Sequence, residues 1–370
     1  MTTASFSKTT DQENLRWLIL MLIMVGAIKN PAETPLYLNS LLLVAGLLVL
    51  AVERKITPEF YPALLLIGLG LITAIYNGYV DSIARLCQMA LIILAASYVA
   101  RGHADELVEY VSRYLVPIIF IVFIAEILWV GTIRSRVFAG IELPRYIGIQ
   151  GDPNFNATLY GIIGLLIFSA GWKLRAVAIW IIALFSFSRG FVFGLLICMI
   201  ALPFRRTFFI RLIYWPIIVT LLSVPAIVFF VDSVIADETR TMLTEISSRR
   251  YDHWLSYLKM GLDHPLGVGY FQSVDLQAQY WPHHTWENQE AHSMFFQVFS
   301  EFGFIGYGIF CYFVLGVARK VVSVDYDNAP IFLYLMVAYS LLNALSEWGF
   351  WIGLAVLLST SLQDAHRDAT

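Results

Sequence analysis

The sequence predicts an all-α integral membrane protein, a single polytopic domain over residues 1–370 with about twelve transmembrane helices and a large loop between spans nine and ten. Three observations carry this expectation. Hydrophobic residues make up 59% of the chain and charged residues 14%, with a mean hydropathy of +0.71, more apolar surface than a soluble domain could shield from water. Apolar runs long enough to cross about 30 Å of hydrocarbon recur along the chain. Basic residues collect in alternate connections.

The start, Met1 to Asn14, is polar, with Lys8, Asp11 and Glu13. No small-residue cleavage site follows the first apolar stretch, so a removable signal peptide is not expected. Leu15 to Ile28 is the first spanning candidate. Further runs centre on Leu43, Leu66, Leu91, Phe120, Ile163, Ile181, Leu195, Leu221, Tyr307, Val337 and Leu357. The first, seventh and eighth runs are short or share boundaries.

An N-terminus in the cytoplasm brings Arg54 and Lys55, Arg101 and Arg113, Lys173 and Arg175, Arg205, Arg206 and Arg211, and Arg319 and Lys320 all inside. The C-terminus then also lies inside. The connection from Asn77 to Asp81, without a basic residue, and the long loop from Asp232 to Ala291, more acidic than basic, fall outside. One outer connection, Gly131 to Asp152, breaks the rule with Arg134, Arg136 and Arg145, which signals either a need for cations there or a different topology.

The net charge of −3 creates no large field of one sign, so nucleic acid is not expected as a partner. Cys87, Cys198 and Cys311 sit in apolar segments without CxxC spacing, which reads as small buried hydrophobes rather than a disulfide framework or a zinc site.

The chemistry-bearing residues collect at the expected outer edge. Arg189, in Phe187-Ser188-Arg189-Gly190, falls at the outer end of a helical hairpin. A charge so near hydrocarbon costs several kcal/mol unless paired or hydrated, so it is either functional or a snorkelling interfacial arginine. The outer loop, residues 232–292, holds five of the seven histidines: His253, His264, His283, His284 and His292. Arg250 and Trp254 are spaced i, i+4, and Leu258 and Leu262 continue that face, which predicts an amphipathic helix lying on the membrane surface. Pro265, Gly267 and Gly269 then make a turn. His292 and Gly303 are separated by about three helical turns, with Gly306 one turn on, so they are expected on one face of the tenth span, where small residues admit a close neighbour. That places His292 at the outer lip of the bundle, either as a base or as a hydrogen-bonded structural residue.

Four motifs occur in order: Gly151-Asp152-Pro153-Asn154, Ser188-Arg189-Gly190, Arg250-x-x-x-Trp254 with His264-Pro265-Leu266-Gly267-Val268-Gly269, and His292-Ser293 followed by Gly303 and Gly306. Together they resemble the bacterial O-antigen ligase family and the wider superfamily of O-antigen and exopolysaccharide polymerases. The resemblance covers about residues 145 to 306; the first five spans match only in hydropathy. It implies a class C type membrane glycosyltransferase in the bacterial inner membrane. Its site would face the periplasm and take an undecaprenyl-diphosphate-linked glycan as donor, with a second glycan or the lipid A core as acceptor. Membrane lipids surround such an enzyme, and a chain-length regulator is a partner of the polymerase reading.

Physical needs map onto residues. A diphosphate leaving group requires charge stabilisation, which arginine forks supply; Arg189 and Arg250 are the candidates and Arg145 a weaker one. The attacking hydroxyl must lose a proton, for which His292 is the candidate base, with a hydrogen bond to the diphosphate as its other reading. Attack opposite the leaving group inverts the anomeric centre. The family implies no metal or other cofactor, and the chain has no Asp-x-Asp motif in an exposed loop and no zinc-type histidine spacing.

Tyr270, Phe271, Tyr280, Trp281 and Trp286 could stack on sugar rings or anchor the loop among headgroups. Trp254 belongs with the candidate substrate-binding residues. Glu347 in Ser346-Glu347-Trp348, Asp152, and Glu290 two residues before His292 are candidate acids that orient the catalytic groups, or solvated carboxylates.

Two readings compete within the resemblance: polymerisation of repeat units, which the short chain and compact outer loop favour slightly, and ligation of the finished glycan onto the lipid A core. A third, from another class, is a secondary transporter. It would place ionisable residues at mid-membrane in matching halves; Glu126 is the nearest such residue, and no internal repeat is seen.

Overall fold

The computed structural model describes residues 3–28, 40–52, 55–128, 134–138, 141–201, 208–247, 250–280, 291–324, 329–343, 345 and 347–368. In chain order the elements are α1 (Thr3–Val25), α2 (Ser40–Val52), α3 (Tyr61–Asn77), α4 (Val80–Ala100), α5 (Ala104–Tyr110) and α6 (Val116–Leu128). A hairpin of β1 (Arg134–Phe138) and β2 (Ile141–Arg145) follows. Then come α7 (Pro153–Ser169), α8 (Lys173–Leu184), α9 (Arg189–Ala201), α10 (Phe208–Leu222), α11 (Val224–Val234) and α12 (Asp237–Ile246). The last five are α13 (Arg250–Asp263), α14 (Gln272–Tyr280), α15 (Met294–Val324), α16 (Ala329–Tyr339) and α17 (Trp348–Asp368).

Among the described residues the fold is therefore helical apart from one antiparallel hairpin, whose register pairs Arg134 with Arg145. The strands fall in the connection, expected to lie outside, that carries the unexpected arginines. Each of the twelve apolar centres read from the sequence lies in a helix. Spanning length is rarer. Among the described residues four helices are long and apolar enough to cross a bilayer: 58–77, 80–100, 104–128 and 294–322. A fifth candidate is a pair, 214–222 and 224–234, bent by 64°. The bend has a cause in sequence, because Pro225 opens the second helix and cannot donate to the turn before it. Shorter apolar helices at 41–52, 189–201, 329–339 and 348–359 add to these.

By its contacts the chain forms two compact units. The first comprises residues 1–57, 91–195 and 351–370, the second 58–90 and 196–350.

In the first unit α7 and α8 form a tight helical hairpin: a Cβ at Gly164 would collide with the Trp180 indole, whose Nε1 donates to the Gly161 carbonyl at 3.4 Å. Small residues allow such approach where lipid gives no hydrophobic drive. Between α5 and α6 the chain makes a π turn, Val111–Leu115, and Arg175 donates there to the carbonyl and hydroxyl of Ser112 at 2.9 and 3.0 Å. Such turns leave carbonyls off the regular ladder, open to an outside donor.

In the second unit α3 and α13 both pack on α15. Lys320 pairs with Glu59, which joins α15 to the turn before α3. Tyr307 donates its hydroxyl to the Leu222 carbonyl at 2.6 Å, satisfying a carbonyl where α10 ends at the bend.

Candidate active site

The second unit gathers Arg250, His253 and His292. Ser247 starts α13: its hydroxyl accepts from the Tyr251 N–H at 3.0 Å and its carbonyl from the Arg250 N–H at 3.4 Å. Asp252 accepts from the Thr244 hydroxyl at 2.8 Å, tying this turn to α12. Arg250 is half-buried at the helix start, and His253 follows one turn later, 7% exposed. Gln277 of α14 holds His253, its side-chain amide 2.6 Å from Nδ1. The His292 ring stands edge-on to His253, with centroids 6.0 Å apart at 88°. Burial lowers the His253 pKa to about 4, helped by the charges of His292 and Arg250, so both groups act on this ring and it is neutral at neutral pH.

The helix expected to lie on a membrane surface is instead packed into protein. Tyr251, His253, Leu255, Ser256, Tyr257, Leu258, Met260 and Gly261 of α13 are all buried, and Leu262, expected to extend the apolar face, is exposed. Trp254 stacks on Phe296 of α15 at 5.6 Å and 12°, so one face of its indole is covered. The packing is close because Gly261 lies against Phe299, where a Cβ would approach the ring to 2.5 Å.

His292 and Gly303 do not share a helix face. His292 precedes α15 in a left-handed conformation, φ +49°, and Gly303 interrupts the helix at φ +66°, ψ −165°. Sequence spacing assumed an unbroken helix; the glycine serves a break instead. Into that break fits the loop that follows α13. Val268 and Gly269 donate to the carbonyls of Ser300 and Glu301, each at 3.0 Å, and Phe304 donates to the Pro265 carbonyl at 2.9 Å. A Cβ at Gly303 would overlap the Pro265 carbonyl, and one at Gly267 would overlap the Glu301 carbonyl. The two glycine-bearing motifs are thus halves of one joint, which fixes the loop, α13 and the first turns of α15 as a block.

Three buried polar atoms, Trp254 Nε1, Ser293 Oγ and Gln297 Oε1, have no hydrogen-bond partner among the described residues. All three belong to α13 or to the start of α15 and the bend before it. Glu301, 1% exposed, accepts from Ser273 at 2.6 Å. Sequence reading passed over His253, Gln277 and Glu301. His253 lies within the Arg250 to Trp254 motif, and Glu301 is a carboxylate in an apolar run, itself a recognisable signal; Gln277 has none.

The loop aromatics divide. Tyr270 is buried against Phe302 at 5.8 Å, which removes it from the sugar-stacking set. Phe271 carries the Arg85 guanidinium 3.7 Å above its ring, and Tyr280 bonds His264 Nε2 at 3.0 Å. Trp281, Trp286, Glu290, His283, His284 and Ser346 lie outside the described residues. Glu347 is 5% exposed just before α17. Cys198 is buried, but Cys311 is only partly so and Cys87 is exposed, so the buried reading holds for one of three.

In the first unit Arg189 is exposed at the start of α9, after a turn strained by Phe187 at φ +48°. That turn is clamped by Arg145, whose Nε donates to the Ser186 carbonyl at 2.9 Å while Nη2 reaches Asn154 Oδ1 at 3.1 Å. Tyr146 adds a backbone bond to Phe185 at 3.0 Å. Asp152 caps α7, accepting from the N–H groups of Asn154 and Phe155 at 2.8 and 3.1 Å. Glu126 accepts from Ile147 and Gly148 at 3.2 and 3.0 Å, so this carboxylate is tied to the chain just before the Gly151 motif.

Residues 174–311 match the family model described as O-Antigen ligase. The match spans the Arg189 turn, the Arg250 to His253 turn, His292 and Gly303, and it supports a place for the chain in the superfamily of O-antigen ligases and polymerases. The apolar helices are those of a multi-pass membrane protein. No curated protein and no solved structure gives a significant match.

Proposed function

We propose that the protein polymerises cell-surface polysaccharide repeat units, transferring a glycan from an undecaprenyl-diphosphate-linked donor at the periplasmic face of the inner membrane. The observation that supports this most is the pairing of His253 and His292, 6.0 Å apart, with Arg250 one turn before His253 on α13, all inside the family-matched segment. In the proposed step His292 takes the proton of the acceptor hydroxyl as its oxygen bonds to the anomeric carbon. The bond from that carbon to the diphosphate oxygen breaks, its electrons leave with undecaprenyl diphosphate, and the anomeric configuration inverts. Arg250 meets the charge developing on the diphosphate, since a guanidinium pairs with phosphate oxygens in a fixed fork and keeps its proton. Arg189, exposed at a strained turn, is proposed as a second phosphate ligand on its charge and motif. No metal is assigned a role.

The neighbouring His253 serves the base. Held in place by Gln277 and kept neutral by burial, it adds no second positive charge beside His292. Trp254, Ser293 and Gln297 supply unmatched polar atoms of the kind a glycan hydroxyl satisfies. Asp152 and Arg145 are assigned to shaping the Arg189 turn, given the bonds they already make. Glu347, Trp286 and Glu290 stay as proposed substrate contacts on sequence alone.

The ligase reading, transfer onto the lipid A core, is favoured by the description of the matching family. A deletion strain separates the two by polysaccharide gel. Loss of the length ladder with a single repeat left on the core supports the polymerase; bare core with accumulated lipid-linked polymer supports the ligase and refutes the polymerase.

A further inference from the structure

The first unit has an open cavity of about 610 Å³ lined by Gln12, Glu13, Leu15, Arg16, Ile19, Val52, Lys55, Tyr98, Arg101 and His103. Its polar half is cationic. Arg16, Lys55 and Arg101 line it with the carboxylate of Glu13, and His103, stacked on Tyr98 at 4.3 Å, completes the wall. Arg16 also pairs with Glu106 at 3.3 Å, which fixes its head at the rim. The other half is apolar: Leu15, Ile19 and Val52 line it, and Trp17, Leu18, Leu47, Leu50 and Val52 on the same two helices are exposed. A cationic end beside an open apolar surface fits an amphiphile with a phosphate head. The residues come from the start of α1, the end of α2 and the α4–α5 turn, which the basic-residue pattern assigns to the cytoplasmic face, where anionic lipids and basic pockets meet.

We propose that this cavity is a binding site for a phosphate-bearing anion, with the headgroup of an anionic phospholipid as its occupant. The test is lipid titration of the full-length protein in detergent, followed by native mass spectrometry with phosphatidylglycerol and phosphatidylcholine as probes. Wild type should bind phosphatidylglycerol roughly tenfold more tightly than phosphatidylcholine, and Lys55→Glu, at an exposed position that folding tolerates, should remove that preference. The double variant Lys55→Gln/Arg101→Gln should do the same, whereas Lys173→Gln, a cation outside the cavity lining, should retain it. Competition by millimolar inorganic phosphate assigns the site to soluble phosphates; its failure to compete assigns it to the lipid. Equal binding of the two lipids, or wild-type preference in Lys55→Glu, overturns the proposal.

Discussion

Replacing Gly303 with alanine should undo the joint that holds the candidate active site together. Gly303 sits at φ +66°, ψ −165°, a region that residues with a side chain essentially never occupy, at a cost of about 1–3 kcal/mol. The new Cβ would also lie 2.5 Å from the Gly267 nitrogen and overlap the Pro265 carbonyl, so the loop must move. Movement endangers the bonds from Val268 to Ser300, Gly269 to Glu301 and Phe304 to Pro265, each worth about 1 kcal/mol net. Taken together the local docking should weaken by about 3–5 kcal/mol. Hydrogen exchange at the amides of Val268 and Gly269 reads this directly, with protection expected to fall on the order of a thousandfold. Gly308 provides the control, because a Cβ there meets nothing within 4 Å. Its alanine variant should be neutral or stabilised by up to about 1 kcal/mol. Wild-type protection in Gly303→Ala would refute the joint.

Arg189→Ala and Arg250→Ala should each abolish glycan product while the protein stays inserted in the membrane, as checked by fractionation beside the gel; product from either variant removes that arginine from the mechanism. The depressed pKa of His253 means that the unfolded chain binds its proton first as pH falls. Its contribution is therefore complete above about pH 6.5 and is lost towards pH 4, a difference of about 3 kcal/mol. Thermal melts across that window should show an acid decline that His253→Gln flattens, and an unchanged acid limb would contradict the assignment. Asp152→Ala should cost about 1 kcal/mol by loss of the α7 cap, whereas Asp152→Asn, which still caps, should keep both stability and transfer. Loss of transfer in a stable Asp152→Asn would return the carboxylate to the substrate-binding set.

Local rules read the helices well and the joint badly. Apolar runs located a helix at each of the twelve centres, because burial in lipid or protein selects the same residues. Length was harder: α10 and α11 read as one run until Pro225 bends them, and a run of apolar residues does not reveal where its helix stops. Spacing from His292 to Gly303 assumed a helix throughout, and the contrary signals, Gly303 and Gly267, take their meaning from each other across 36 residues of chain. Arg250 and Trp254 showed an amphipathic face, yet the partner of that face was Phe296 of α15 rather than lipid. His253 was visible as a residue but not as a neighbour of His292, since that proximity depends on the joint and on Gln277.

The central claim is that His292 removes the acceptor proton beside Arg250. The most direct measurement is glycan transfer by the purified protein in liposomes, supplied with a lipid-diphosphate-linked donor, for wild type and His292→Ala. A base worth a typical 10²–10⁴-fold predicts a loss of about that size at unchanged thermal stability. Transfer by His292→Ala within a few-fold of wild type would contradict it.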